Sequence, residues 1–307
     1  MSRGLKIFIL LITLGGLSIV PSFASGYHLR FLTVIFMWVG LVSCWNIVAG
    51  YTGYIDLGPV AYYGLGAYTT GVLMLRAGWP FAPSLILSGI VPALISIPVG
   101  IPTMRLRGAY FAIATLAFAE AMREIVLQWD VVTKMELTGG SYGLNLPIGP
   151  GFEYFYYLML GVMLAVLSTT YWIDRSKFGY GLRAIREAEQ AAQVIGVNTL
   201  RLKLMAYMIS AFYLGLIGGI WAYWHTFIEP TDVFSILKTI QMVVMALLGG
   251  MGTVFGPLVG AAFLSIVSEI LWAKFIYTYM LMVGLIIVIV MFFMPRGIAG
   301  FIKGLPR

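Results

Sequence analysis

GLRAIREAEQAAQVIGVNTLRLK, residues 181–203, packs Arg183, Arg186, Glu187, Glu189, Arg201 and Lys203 into one short run. Its setting makes it unusual. The 307-residue chain is 61% hydrophobic and only 10% charged, whereas a soluble domain carries about a quarter charged residues. Residues 181–195 contain no proline and are rich in good helix formers. Ile185, Ala188, Ala192 and Ile195 recur at spacings of three and four, which predicts a modest apolar face. Arg183–Glu187 and Arg186–Gln190 sit one turn apart on the other side. Gly196 supplies a stop and Asn198 suits the turn after it. The run predicts a helix of roughly 22 Å, too polar to cross a membrane. Two readings fit such a helix, a solvated link between two spans and a docking knob for a partner protein.

On either side of this segment the chain reads as membrane-spanning. A spanning helix needs roughly 20 mostly apolar residues. About ten such runs can be marked, at 7–24, 30–49, 56–75, 81–103, 109–129, 154–173, 205–225, 235–250, 253–272 and 278–294. The run 235–250 is short and ends at Gly249-Gly250. The 36 glycines suit close helix packing in lipid. The expected fold class is therefore an all-α polytopic membrane protein, with residues 1–307 forming a single transmembrane domain.

The loop charges orient it. With the N-terminus in the cytoplasm, thirteen Lys and Arg fall on inside loops and five outside, and Arg123 lies within a span. That bias predicts both termini cytoplasmic. The net charge of +7 is then a topology signal rather than a nucleic-acid surface. Loop 174–204 faces inward and holds the charged helix, while 130–153 faces outward and holds Thr138-Gly139-Gly140-Ser141-Tyr142-Gly143. Arg3, Lys6, an apolar run and Ser22-Phe23-Ala24 also fit a signal peptide, so residues 7–24 read either as a first helix or as a signal-like segment.

Two spans carry features that lipid does not favour. GYTGYIDLGPVAYYGLGAYTTGV (50–72) contains Gly58, Pro59, Gly64 and Gly66 beside Tyr62 and Tyr63, with Asp56 near its cytoplasmic end. A helix so interrupted lines a pathway or makes a tight small-residue crossing. The span 109–129 carries Glu120, Arg123 and Glu124. An ionisable group at mid-bilayer costs about 2.5–3.5 kcal/mol on insertion scales, so these groups face protein or water. Glu120 and Arg123 are three apart and can pair on one face. They read as a polar pathway wall, a contact with a partner membrane subunit, or an ion pair locking helices. The candidate translocation set is Asp56, Gly58, Tyr62, Tyr63, Gly64, Gly66, Glu120 and Arg123. The aromatic clusters WAYWHTF (221–227) and EYFYY (153–157) fit interfacial belts. A faint likeness of LGPVAYYGLGA (57–67) to FGPLVGAA (255–262) hints at internal duplication.

Some chemistry is absent. The one cysteine, Cys44, cannot form an intrachain disulfide, and with two histidines it gives no metal-site spacing. No G-x-x-x-x-G-K-[ST], H-E-x-x-H or G-x-S-x-G occurs, so nothing supports an enzyme or a P-loop nucleotide site in this chain.

Several segments, in order, resemble the permeases of ATP-driven branched-chain amino acid importers. SKFGYGLRAIREAEQAAQVIGVN (176–198) is similar to that family's cytoplasmic loop, with Ser176, Gly179, Leu182, Ala184, Ile185, Arg186, Glu187, Glu189, Ala191, Ala192 and Gly196 on the pattern. RLRGAYFAIATLAFAE (105–120), TGGSYG (138–143), LGGMGTVFGPLVGA (248–261) and PRG (295–297) resemble its other signatures. Asp56 departs from the small Ser usual there. The resemblance is closest to the second of the two paralogous permeases such importers carry.

That resemblance implies a multi-pass protein of the bacterial inner membrane, pairing with a second permease around a pore at their interface. It also implies two cytoplasmic P-loop ATPases and a periplasmic solute-binding protein. No cofactor is expected in this chain, ATP and Mg being used by the partner ATPase. The loop helix would be the coupling helix, with Arg183, Ala184, Ile185, Arg186, Glu187, Glu189, Ala192 and Gly196 as candidate coupling residues. The solute would be a branched-chain amino acid or a related small polar molecule. An ion-coupled secondary transporter, or an importer of urea, amides or sugars, remains open.

Overall fold

Apolar runs in lipid must satisfy their own backbone groups, and helices do so within one segment. In the computed structural model they do. The structure describes residues 20–22, 25–134, 137–275, 278, 281–282, 284–285 and 288. Helix α1 is Gly26–Trp45 and continues as a π-helical turn, Asn46–Gly50. It is followed by α2, Pro59–Leu75; α3, Phe81–Thr103; α4, Ala109–Thr133; and α5, Phe152–Arg175. Then come α6, Lys177–Val194, and α7, Thr199–His225. A short turn α8, Pro230–Val233, precedes α9, Ile236–Gly249, and α10, Gly256–Lys274.

The expectation of about ten spanning helices is narrowed. Among the described residues, six helical stretches are long and apolar enough to cross a membrane: 26–50, 81–103, 152–175, 199–225, 230–249 and 256–274. Two expected spans are helices outside that set for physical reasons. Helix α2 has only 17 residues, because Gly53 to Gly58 stay unwound ahead of Pro59. Helix α4 is long enough but charged at its middle. The expected spans 7–24 and 278–294, and the PRG at 295–297, lie wholly or largely outside the described residues.

Helix α1 is the central element, buried from Ile35 to Gly50 and packed by α5, α7, α9 and α10. Helix α7 in turn packs on α2 and α3. Glycine sets those distances. A Cβ at Gly66 would overlap the Gly215 backbone, one at Gly215 would overlap the Ser88 carbonyl, and one at Gly218 the Tyr63 carbonyl. Helices in lipid gain most of their contact energy from such close approach.

The loop read as outward-facing contributes one strand, β1 (Leu144–Asn145), which pairs antiparallel with β2 (Phe227–Ile228), just after α7. TGGSYG makes this staple possible. Thr138 donates to the Val126 carbonyl at 3.0 Å, and Asp130 accepts from the Leu137 and Thr138 amides at 2.8 and 2.9 Å. Gly143 has φ +71 and lies against the Ile228 carbonyl.

Candidate coupling site and charged spanning face

Helix α6 begins with a capped turn. The Ser176 hydroxyl accepts from the Gly179 amide at 3.2 Å, satisfying one of the free donors of a helix start. Gly179 lies so close to the Ile173 carbonyl that a Cβ would overlap it, which fixes the bend out of α5. Leu182, Ile185 and Ala192 are buried in a small cluster with Ile47, Tyr51, Ile173 and Ala206. The segment is therefore seated on the protein rather than floating as a link.

The single helix expected over 181–195 is broken. Ala188 is extended (φ −159, ψ 94), so α6 is two helical pieces. The break redistributes the expected apolar face. Ile185 and Ala192 turn inward, while Ala188 and Ile195 face out. Beyond the break Glu189 meets Lys203 at 2.7 Å, with the two side chains 12% and 3% exposed. Lys203 also donates to the Met104 carbonyl at 2.7 Å and to the Tyr54 hydroxyl at 3.2 Å. Tyr54 donates to the other Glu189 oxygen, and Arg107 stands 3.8 Å from it. Burial pulls the Glu189 carboxyl upward, but hydrogen bonds from Lys203 and Tyr54 and the charges of Lys203 and Arg107 outweigh it. Glu189 is held below the usual glutamate value.

Arg186 forms a second anchor. Its Nη1 donates to the Gly50 carbonyl at 2.6 Å, a favourable place for a cation because helix-terminal carbonyls lack intrahelical partners. The same guanidinium lies against Gly252, where a Cβ would overlap Nη1. Asn46, fully buried in the π turn, ties that loop down. It accepts from the Gly252 amide at 2.8 Å and donates to the Thr253 carbonyl at 3.0 Å. Arg183 completes the set, 3.3 Å from the Asp174 carboxylate and bonded to its carbonyl.

Of the candidate coupling residues, Arg183, Ile185, Arg186, Glu189 and Ala192 thus engage this chain's own body. Ala184 is half-buried, and Glu187 and Gly196 are exposed. The outward surface is Glu187, Ala188, Gln190, Ala191, Val194 and Ile195, with Val194 and Ile195 88% and 76% exposed. Sequence reasoning missed Lys203 as a buried cation and Asn46 as the knot. Their signals were present, a Lys opening a long apolar run and an Asn inside one, but nothing local names their partners.

The candidate pathway residues separate into two groups. Asp56 is buried, accepts from the Gly58 amide at 2.8 Å, and takes the Trp45 indole N–H on its carbonyl at 2.8 Å. That is the geometry of an Asx turn starting α2. Gly58 packs on the Thr115 carbonyl, Gly64 on the Phe234 ring and Gly66 on Gly215, and Tyr62 and Tyr63 are buried. The α2 group therefore faces this chain's own interior. Glu120 and Arg123 do pair as their spacing predicts, at 2.9 Å, and Arg123 also reaches Glu124 at 3.1 Å. These three lie half-open on α4.

Comparison with known proteins identifies the family. The model of the branched-chain amino acid transport system permease component family matches residues 27–291. The high-affinity branched-chain amino acid transport system permease protein LivM of Salmonella typhimurium is 32% identical over 298 residues, 87% of this chain and 68% of that protein. Its Escherichia coli namesake is 30% identical over the same shares. The fructose import permease protein FrcC of Rhizobium meliloti is 26% identical over 271 residues, 82% of this chain and 73% of that one. No solved structure matches the chain.

Proposed function

The chain belongs to the family of branched-chain amino acid transport system permease components, and from that membership we propose that it is a pore-forming subunit of an ATP-driven importer. Its solute is a branched-chain amino acid, the substrate class named for the relatives of 30% identity and above. It works in the bacterial inner membrane with both termini cytoplasmic. It pairs with a second, paralogous permease, two P-loop ATPases that bind ATP and Mg, and a periplasmic binding protein. The chain itself hydrolyses nothing.

The observation that carries this reading is the doubly anchored α6. Its outward surface offers Ala188, Ala191, Val194 and Ile195 beside Glu187, the small and apolar character a partner's cleft can enclose. Its inward side grips four places at once. Arg186 holds the end of α1 and the α9–α10 loop. Glu189, through Lys203 and Tyr54, holds the end of α3 and the segment ahead of α2. A push on α6 by closing ATPases is thus transmitted to all four places without a new contact having to form. Buried charge pairs suit this, because they resist separation more strongly than solvated ones.

The test is leucine uptake into proteoliposomes holding this chain, its partner permease, the ATPases and the binding protein. Uptake that needs ATP and survives an ionophore is expected. Uptake that ignores ATP and stops with the ionophore would replace this reading by ion-coupled transport. Fructose in place of leucine checks the sugar alternative suggested by the 26% relative.

A further inference from the structure

Helix α4 crosses the full depth of the protein. Its start follows Met104, whose carbonyl holds Lys203, and its last turns carry Asp130, which holds the loop leading to the β1–β2 staple. Its 25 residues reach about 37 Å, beyond the roughly 30 Å of a hydrocarbon core. One face, carrying Phe111, Thr115, Ala119 and Val126, is buried against the chain.

The outer face is apolar towards its ends, where Tyr110, Ile113, Val131 and Val132 are exposed, but its middle carries Ala117, Ala121, Glu124 and Gln128 beside Ile125, flanked by Glu120 and Arg123. Side-chain exposures of 38%, 34% and 54% at Glu120, Arg123 and Glu124 keep all three open at mid-helix. On neighbouring α3 the exposed residues are Ile86, Ile90, Leu94 and Ile101, the apolar set that lipid accepts. Groups as polar as those on α4 are tolerated at that depth only against water or protein.

We infer that the outer face of α4 around Glu120, Arg123 and Glu124 is the wet wall of the solute path. This rests on the proposed importer function and deepens it by naming the surface the solute meets. Arg123 Nη2 spans both carboxylates, at 2.9 and 3.1 Å, leaving two anions to one cation. A zwitterionic amino acid finds there a carboxylate pair for its ammonium and a guanidinium edge for its carboxylate. A path wall of paired charges lets such a solute pass without holding it, since both carboxylates are already engaged by the one guanidinium.

The experiment uses the assembled transporter in membranes. The only native cysteine of this chain, Cys44, is fully buried, and the other subunits are supplied in cysteine-free form, which gives a silent background. Ala117→Cys and Ala121→Cys are introduced separately, with Leu94→Cys as the lipid-side control, and treated with a membrane-impermeant trimethylammonium methanethiosulfonate. The expected result is rapid modification at 117 and 121, a fall in leucine uptake of tenfold or more, and no reaction at 94. Slower modification when leucine-loaded binding protein and ATP are supplied marks the solute path. Two variants are used so that misassembly of one does not decide the matter. No modification at either position overturns the inference and makes the face a dry permease contact. Modification at 94 as fast as at 121 overturns it too. If the untreated transporter shows no ATP-dependent uptake, the importer reading fails by itself, while labelling still reports whether the face is wet.

Discussion

Glu189 and Lys203 lie 2.7 Å apart with Lys203 almost fully buried, joining the loop helix to the foot of α7. Breaking a buried pair by deleting one partner leaves the other charge uncompensated. Lys203→Met is expected to cost about 3 kcal/mol of stability, read as a lowered thermal midpoint in detergent. Adding Glu189→Gln to it should recover part of that loss, and a double variant no better than the single would contradict the pairing.

The depressed Glu189 carboxyl gives the pair a defined pH window. A group whose folded value is lowered contributes fully above its ordinary value, here 4.5, and loses that contribution as pH falls through the folded value. The thermal midpoint of the parent should therefore drop more steeply than that of Glu189→Gln once pH goes below 4.5. Parallel curves for the two proteins would count against a folded-state ion pair.

Arg186 donates to the Gly50 carbonyl and lies against Gly252, so transmission passes through both. A hydrogen bond from a charged donor contributes about 1.5–3 kcal/mol. Arg186→Ala should leave ATPase association intact while uptake per ATP hydrolysed falls about tenfold or more. Gly252→Ala should act alike, because φ +75 disfavours a side chain and the Cβ would displace the guanidinium. Unchanged stoichiometry in both would remove this anchor from the coupling path.

Val194 and Ile195 point away from the chain and contribute little to its packing. Ile195→Asp should leave the thermal midpoint within about 0.5 kcal/mol of the parent yet weaken copurification of the ATPase about tenfold or more. Retained association at parental strength would place the motor contact elsewhere.

At the Gly66–Gly215 crossing the two helices meet backbone to backbone. Gly66→Val should destabilise by about 3 kcal/mol through overpacking and lower the amount of protein recovered in membranes. A normal yield with a normal midpoint would mean the crossing can yield by helix shift.

Much of this architecture was legible in residue order. Lipid imposes a one-dimensional rule, about 20 apolar residues per crossing, so the runs at 81–103 and 154–173 mark α3 and α5 closely. The cap at Ser176 and the stop at Gly196 are also local, since each depends on backbone donors and φ within a turn. The charged run at 181–203 announces itself by composition alone.

What composition could not decide is where each charge points. Periodicity predicted one straight helix with Ile185, Ala188, Ala192 and Ile195 on one apolar face; the extended Ala188 split that face, leaving Ile195 exposed, and brought Glu189 to Lys203. Asp56 stood out in the sequence as a charge near a span's end, and the tertiary structure buries it in the turn that starts α2. Lys203 looked like a loop charge and is held by Met104 and Tyr54, which are remote in the chain. Hydrophobic order along a chain is set by burial, which each residue expresses by itself. The pairing of buried polar groups is set by whichever distant donor or acceptor the packed helices bring within 3 Å or so, and only the tertiary structure decides that.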